Sequence, residues 1–178
     1  MPLPTAEQTS QLSLRAMVAY GSRAACRVVR ARPVRYREVC EKALSAVNTF
    51  VTSPFAGDAV REAALAAAEI VGELDAPWMD HRVAFSVLAA VNCCGNADLA
   101  WLSAPPIQTS ALRRAARAAV RAASQWNDPF AAQLALADYE LLVKLFGKRK
   151  GIFLGEPFDP SDEGPLGPVL PYPNRDGT

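Results

Sequence analysis

The residues best suited to bind a ligand are arginines that fall in two parts of the chain without any acidic residue. The first part, between Glu7 and Glu38, holds Arg15, Arg23, Arg27, Arg30, Arg32, Arg35 and Arg37, and the second, between Asp98 and Asp128, holds Arg113, Arg114, Arg117 and Arg121. A guanidinium group carries five N–H donors in a planar fork that matches carboxylate and phosphate geometry. Both parts therefore indicate anion binding rather than catalysis.

Helical periodicity gathers these arginines onto two faces. At 100° per residue, Arg15, Arg23, Arg27 and Arg30 lie opposite an apolar side that holds Leu14, Met17, Val18, Gly21, Ala25, Val28 and Val29. The other four arginines share a sector of roughly 100° opposite Leu112, Ala116, Ala119 and Ala123. Solvated helices usually mix charge signs, because opposite charges at i,i+4 stabilise a helix and like charges repel. We therefore expect two helices with arginine-only outer faces.

Four interpretations of these faces stay open. They could bind phosphate groups of nucleic acid or lipid, an acidic protein partner, or the chain's own C-terminal segment with Glu156, Asp159, Asp162 and Glu163. They could also be solvated faces of an arginine-rich protein, since arginine outnumbers lysine 15 to 4. The formal net charge of +1 favours neither a nucleic-acid binder nor an acidic protein. Base stacking is disfavoured, because aromatic residues are not interleaved with the arginines.

Residues with catalytic or metal-binding chemistry are sparse. The only histidine is His81, and the four cysteines at positions 26, 40, 93 and 94 contain no C-x-x-C spacing, so we expect no metal and no cofactor. Asp75, Asp80 and His81 could supply a general base, but Asp80 and His81 also fit the first turn of a helix. The sequence holds no catalytic motif, and only a site assembled from dispersed residues would make it an enzyme. The cysteines are expected to be reduced thiols, mostly buried.

Alanine-rich segments with apolar residues at 3.6-residue spacing predict six helices. Their expected ranges are about 10–32, 36–51, 58–74, 79–94, 110–124 and 129–146, with Pro33 and Gly95 ending the first and fourth. Pro105 and Pro106 predict an extended connection before the fifth helix. The fourth helix is apolar on all sides, so it is expected to be the central one, with Phe85, Leu88 and Val91 among the least accessible residues.

The last part of the chain changes in composition after Gly147. Prolines at 157, 160, 165, 168, 171 and 173 exclude a helix and favour an extended segment, which is either a free linker or packed along the helices. The predicted organisation is an N-terminal lead at 1–9, a helical domain at 10–147, and a basic turn with a proline-rich tail at 148–178. The expected fold class is all-α, a compact bundle of about six helices with that extended tail.

Function is inferred mainly by elimination. No apolar run approaches the roughly 18 residues of a membrane span, and the first residues do not resemble a signal peptide, so a cytoplasmic protein is expected. We expect a small helical protein-interaction or adaptor protein without catalytic activity, part of a bacterial multi-protein system. The alternative is a protein that binds nucleic acid or another polyanion through its arginine faces. The identity of the partner and the oligomeric state do not follow from the sequence.

Overall fold

The computed structural model describes residues 2–31, 37–53, 57–76, 79–125, 129–148 and 151–170. Within these ranges the fold is all-helical without strands, which confirms the all-α part of the predicted fold class. The described helices are α1 (Ala6–Thr9), α2 (Leu14–Arg30), α3 (Arg37–Thr52), α4 (Gly57–Gly72), α5 (His81–Leu102), α6 (Pro105–Ser124) and α7 (Pro129–Phe146). The proposed stops at Arg32 and Pro33 and the start at Asn127 and Asp128 lie outside the described residues.

The segment predicted as an N-terminal lead contains a short helix, α1, and the first predicted helix corresponds to α2. Thr5 begins α1 with a capping box, in which its hydroxyl accepts from the backbone N–H of Gln8 and the Gln8 side chain accepts from the N–H of Thr5. The chain then turns, and Ser13 begins α2 by accepting from the N–H of Ala16. Two capping signals eight residues apart therefore begin two separate helices, and the helix predicted from about residue 10 begins at Leu14.

Two other predicted helix boundaries are wrong. Gly95 does not end α5, which continues to Leu102, because buried Ala97 and Ala100 repay the cost of about 1 kcal/mol for a glycine inside a helix. Pro105 and Pro106 are not an extended connection, because they form the first turn of α6. Proline is tolerated there, since the N–H groups of a first turn have no partner inside the helix.

The central helix is α2 rather than α5. Fifteen of its 17 residues are buried, and it packs against α3, α5, α6 and α7. The prediction for α5 is wrong in detail, because Phe85 is 48% exposed and Leu88 and Val91 are only half-buried. Helix α5 packs against α2, α3, α4 and α6, but some of its apolar residues still face solvent.

Small residues allow α2, α5 and α6 to approach closely. A Cβ atom placed on Gly21 of α2 would lie 3.3 Å from the Cα of Ala119 on α6 and 3.9 Å from the Cα of Ala90 on α5. The buried face of α6 is made of alanines alone: Ala111, Ala115, Ala116, Ala119, Ala122 and Ala123. The alanine content therefore sets the spacing of the central helices.

Helix α5 is also the one described helix that is long and apolar enough to cross a membrane by length and composition. Its most apolar window has a mean hydropathy of 1.4, and 56% of that window is buried inside the fold. The core helix of a globular domain passes the same test, so this property alone does not indicate a membrane span.

Residues 151–170 form no helix and lie against the bundle. Leu166 and Val169 are buried, and the ring of Phe158 stacks on Phe146 at the end of α7 with 4.3 Å between centroids. The N–H of Phe158 donates to the carbonyl of Val51 in α3 at 3.3 Å. Residues 149–150 and 171–178 of the predicted tail lie outside the described residues.

Candidate functional site

The first predicted arginine face points into the protein. Arg15, Arg23 and Arg27 are only 3%, 2% and 2% exposed, and Arg30 is half-buried. The expectation of an outer face on α2 is therefore wrong. Its arginines face residues 151–170, α7 and the end of α3, so their hydrogen-bond donors meet acceptors of the same chain. Arg32 and Arg35 lie outside the described residues.

Arg23 uses all five of its N–H donors within the protein. Its Nε donates to Oδ1 of Asp138 at 3.2 Å. The two Nη atoms donate to four backbone carbonyls at 3.0–3.4 Å, those of Pro160, Leu166, Gly167 and Pro168. Burial lowers the pKa of Arg23 from its usual value, and the Asp138 carboxylate opposes that shift. Arg23 therefore bonds residues 160–168 to the buried helix α2.

Asp138 of α7 is the acidic partner that sequence reasoning missed. Its Oδ2 atom accepts from Nη1 of Arg27, so one buried carboxylate bonds to two buried guanidinium groups. A signal for it exists in the sequence, because Asp138 falls on the buried stripe of α7 with Ala131, Ala135 and Leu142. A carboxylate at a core position requires a buried partner, and α2 supplies two.

Arg15 joins three parts of the chain at the start of α2. Its guanidinium donates to the carbonyls of Phe50 and Ser53 at the end of α3 and to the carbonyl of Gly155. The first N–H groups of α2 also meet this segment, since Leu14 donates to the carbonyl of Phe153 at 2.8 Å. Residues 153–155 thereby satisfy donors that a helix N-terminus leaves without partners.

Arg30 completes the row at the far end of α2. Its Nη1 atom lies 2.9 Å from Oδ1 of Asp162 and 2.9 Å from the carbonyl oxygen of Val169. The hydrogen bond from Arg30 lowers the pKa of Asp162, and the bond from the N–H of Val169 adds to the shift. Of the open interpretations, the contacts on α2 match the one in which the C-terminal segment meets the arginines.

The second predicted face, on α6, lies at the surface. Arg113, Arg114, Arg117 and Arg121 are all exposed. Within the described ranges none of them forms an ion pair. Arg114 is held by neutral groups, because its Nε donates to Oδ1 of Asn96 at 2.8 Å and its Nη1 to Oγ of Ser110 at 2.9 Å. The prediction that these arginines face outward is correct, whereas their role as a contact surface stays a prediction.

Three of these arginines line a groove between α5 and α6, which we call the arginine groove. It consists of two adjoining cavities of about 390 Å³ and about 220 Å³ that share Ala89, Asn92 and Arg121. The groove is lined by Phe85, Leu88, Ala89, Asn92 and Asn96 of α5 and by Arg114, Arg117, Ala118, Arg121 and Gln125 on the α6 side. Arg113 lies outside the groove, in a separate cavity with Glu7 and Ser10. Arg117 borders this separate cavity as well as the groove.

The chemistry of the arginine groove is polar at one end and apolar at the other. Among the described residues that line it, three carry a positive charge, three carry an amide and none carries a negative charge. Exposed Phe85 and half-buried Leu88 form the apolar end. The groove can therefore accept carboxylate or phosphate oxygens along α6 and an apolar group beside Phe85.

The predicted group of Asp75, Asp80 and His81 has structural contacts. Asp80 is the N-cap of α5 and accepts from the N–H of Arg82 at 2.9 Å. The ring of His81 stacks on Phe85 with 6.0 Å between centroids, and its Nε2 lies 3.0 Å from the carbonyl oxygen of Leu74. These contacts match the first-turn interpretation of the sequence.

The cysteines are free thiols, and three of the four are buried, as expected. Burial raises the pKa of Cys40 to about 11 and that of Cys94 to about 12. Burial also raises the pKa of Cys26, although Arg30 opposes the shift. A raised pKa keeps a thiol protonated near neutral pH, so these cysteines are poor nucleophiles.

No cluster of three or more metal-ligating side chains occurs in the part of the chain that the structure describes. Comparisons of the chain with protein-family models, with curated proteins and with solved structures gave no match. The arginine groove is the candidate site, because its described lining residues combine positive charge, amides and an exposed aromatic ring.

Proposed function

We propose that the chain is a non-catalytic protein-interaction or adaptor protein that binds an acidic partner in the arginine groove. One observation supports this above others: three exposed guanidinium groups and an exposed phenylalanine share one groove with no carboxylate among its described lining residues. Arginine and aromatic residues are the types that most often dominate binding energy at protein interfaces.

The arrangement of Arg114 favours binding. Its hydrogen bonds to Asn96 and Ser110 hold the guanidinium in place without neutralising its charge. A side chain that is already ordered loses less rotamer entropy when a ligand binds. The groove therefore combines a fixed positive charge with room for a partner.

A second candidate function is binding of nucleic acid or another polyanion through the same groove. The observation that favours it is the straight run of positive charge on α6, where Arg114, Arg117 and Arg121 follow at spacings of three and four residues. Phosphate binding of this kind would depend on charge and not on Phe85. The apolar end of the groove favours a protein partner over a polyanion.

The finer predictions of architecture and location belong to the same proposal. We propose one compact helical bundle at 10–147 after the N-terminal lead, with residues 148–178 as an extended proline-rich tail fixed along it, in a cytoplasmic protein. The carbonyls that bond to Arg15, Arg23 and Arg30 support a fixed tail over a free linker. A chain ending at Gly155 should then unfold at a clearly lower temperature, whereas unchanged melting would favour a free linker.

Titration with two matched probes tests the function. One probe is a synthetic helical peptide that carries glutamates on both sides of one leucine, and the other is a short DNA duplex. The triple change Arg114→Glu, Arg117→Glu and Arg121→Glu should abolish binding of the peptide, because it replaces attraction with repulsion. Phe85→Ala should weaken binding of the peptide by roughly tenfold, because an apolar contact is lost, and should leave the affinity for DNA unchanged.

Arg113→Glu is the matched control, because Arg113 is an exposed arginine of the same helix outside the groove. It should change peptide binding by less than about twofold. Peptide binding that survives the triple change would contradict the proposed function. Binding of DNA alone, with affinity falling linearly against salt on a log–log plot and no effect of Phe85→Ala, would favour the second candidate.

A further inference from the structure

Negative charge is also segregated in this chain, although less completely than positive charge. Residues 38–75 contain seven acidic residues and two basic ones, whereas residues 99–127 contain four arginines and no acid. All seven acidic side chains of the first range are exposed. A chain with a net charge of only +1 therefore presents two surfaces of opposite sign.

The negative surface is centred on α4. Asp58, Glu62, Leu65 and Glu69 follow at spacings of four, three and four residues, so they share one helix face, which we call the acidic ridge. Leu65 is 63% exposed in the middle of this ridge. The ridge thus places an apolar side chain between carboxylates.

The acidic ridge and the arginine groove match in length. Glu62 and Glu69 are seven residues apart, as are Arg114 and Arg121, so each pair spans roughly 10 Å along its helix. Ala118, a small residue, lines the groove together with the arginines. The two surfaces are therefore complementary in charge and in the spacing of their charges along the helix.

Both surfaces are accessible in one molecule at the same time. Helices α4 and α6 both pack on α5, and each keeps its charged face exposed. Each molecule can therefore contribute a ridge to one contact and a groove to another. Two such contacts related by a two-fold axis would close a dimer, and contacts without closure would make a chain.

We propose that the acidic ridge of one copy docks in the arginine groove of a second copy, so that the protein self-associates. This inference rests on the proposed function, because it names a copy of the same chain as the acidic partner. Within one molecule Glu69 pairs with Lys42 at 2.6 Å, but both side chains are largely exposed, at 48% and 61%. Exposed pairs of this kind are weak and can exchange for the arginines of the groove.

A charge-swap experiment by sedimentation velocity tests the proposal. The full-length wild type should associate at low salt and dissociate at high salt, because the contact is mainly electrostatic. The groove variant (Arg114→Glu, Arg117→Glu and Arg121→Glu) and the ridge variant (Glu62→Arg and Glu69→Arg) should each be monomeric. An equal mixture of the two should associate again, because the groove variant keeps a wild-type ridge, the ridge variant keeps a wild-type groove, and the two reversed surfaces are also opposite in charge.

The controls Arg82→Glu and Glu140→Arg change exposed charges on α5 and α7 outside both surfaces, and they should associate like the wild type. Leu65→Asp should weaken association at least about tenfold if the centre of the ridge is buried in the contact. Should a reversed variant fail to fold, this single change and the salt dependence of the wild type still decide the question.

A wild type that stays monomeric at low salt overturns self-association, as does a mixture of the two variants that stays monomeric. The proposed function would still stand if that monomer bound the glutamate peptide in a manner sensitive to the groove variant. Both would fall if the groove variant changed neither association nor peptide binding.

Discussion

Two arginine rows with similar sequence patterns differ in burial: the row on α2 is largely buried, and the row on α6 is exposed. On α2, Arg15, Arg23 and Arg27 are buried and bond to oxygens of the same chain. On α6, Arg117 and Arg121 stay at the surface without an ion pair among the described residues. Both rows lack acidic neighbours in sequence, so the pattern on the helix does not decide the outcome. What decides it is the segment that packs against each row.

The segment that meets α2 is rich in proline and forms no helix. An extended backbone of this kind forms few internal hydrogen bonds. Carbonyl oxygens of such a segment that become buried therefore need hydrogen-bond donors from other parts of the protein. Arg23 supplies donors to four of them. An acid-free arginine row and a proline-rich segment in one chain are therefore complementary, whereas no such segment covers α6 in the described structure.

The largest expected effect comes from removing the carboxylate that the α2 row shares. Asp138→Ala leaves Arg23 and Arg27 buried without it and should lower the free energy of unfolding by about 3–5 kcal/mol. Urea denaturation followed by circular dichroism measures this change. Asp58→Ala, at an exposed site, is the control and should stay within about 0.5 kcal/mol. A loss below about 1 kcal/mol for Asp138→Ala would contradict the buried pairing of Asp138 with Arg23 and Arg27.

A smaller loss is expected where the C-terminal segment meets the start of α2. Gly155 has a φ of +88°, and a Cβ atom there would lie 2.6 Å from Oγ of Ser13. Gly155→Ala should therefore cost about 2 kcal/mol through backbone strain and the clash. Thermal melting measures it, and an unchanged melting temperature would mean that this segment does not hold α2.

The exposed ion pair between Arg30 and Asp162 should give the stability of the fold only a weak dependence on pH. The pKa of Asp162 is lowered by Arg30 in the folded state, so its stabilising effect is present above the ordinary aspartate value of 3.8 and is lost as the pH falls through the lowered pKa. Asp162→Asn should remove this acid dependence and cost at most about 1 kcal/mol at neutral pH, since the pair is exposed. Equal acid dependence in wild type and variant would show that the pair contributes nothing.

The smallest effect concerns the helix that supports the arginine groove. Gly95 lies inside α5, and a Cβ atom there would meet nothing within 4 Å. Gly95→Ala should therefore stabilise the protein by about 0.5–1 kcal/mol and keep Asn96 beside Arg114. If the change destabilises the protein, the helix ends near Gly95 as the sequence first indicated, and the groove has a different shape.

Periodicity in the sequence was enough to predict the fold class, most helices and the outward direction of the α6 arginines. It could not rank the helices by burial, because α2 carries charges that only a distant segment satisfies. Asp138 lies 111 residues from Arg27 in sequence, and local patterns carry no information about that pairing. The arginine groove could not be predicted either, since it depends on Asn96, which lies beyond the predicted end of α5 at about Cys94.

The contrast between the two rows is tested most directly by the same conservative change in each. Arg23→Lys and Arg117→Lys both keep the positive charge, but lysine cannot reproduce the five directed bonds of Arg23. Urea denaturation should show a loss of at least about 2 kcal/mol for Arg23→Lys and a change within about 0.5 kcal/mol for Arg117→Lys. Equal changes at the two positions would contradict the assignment of one row to folding and the other to binding.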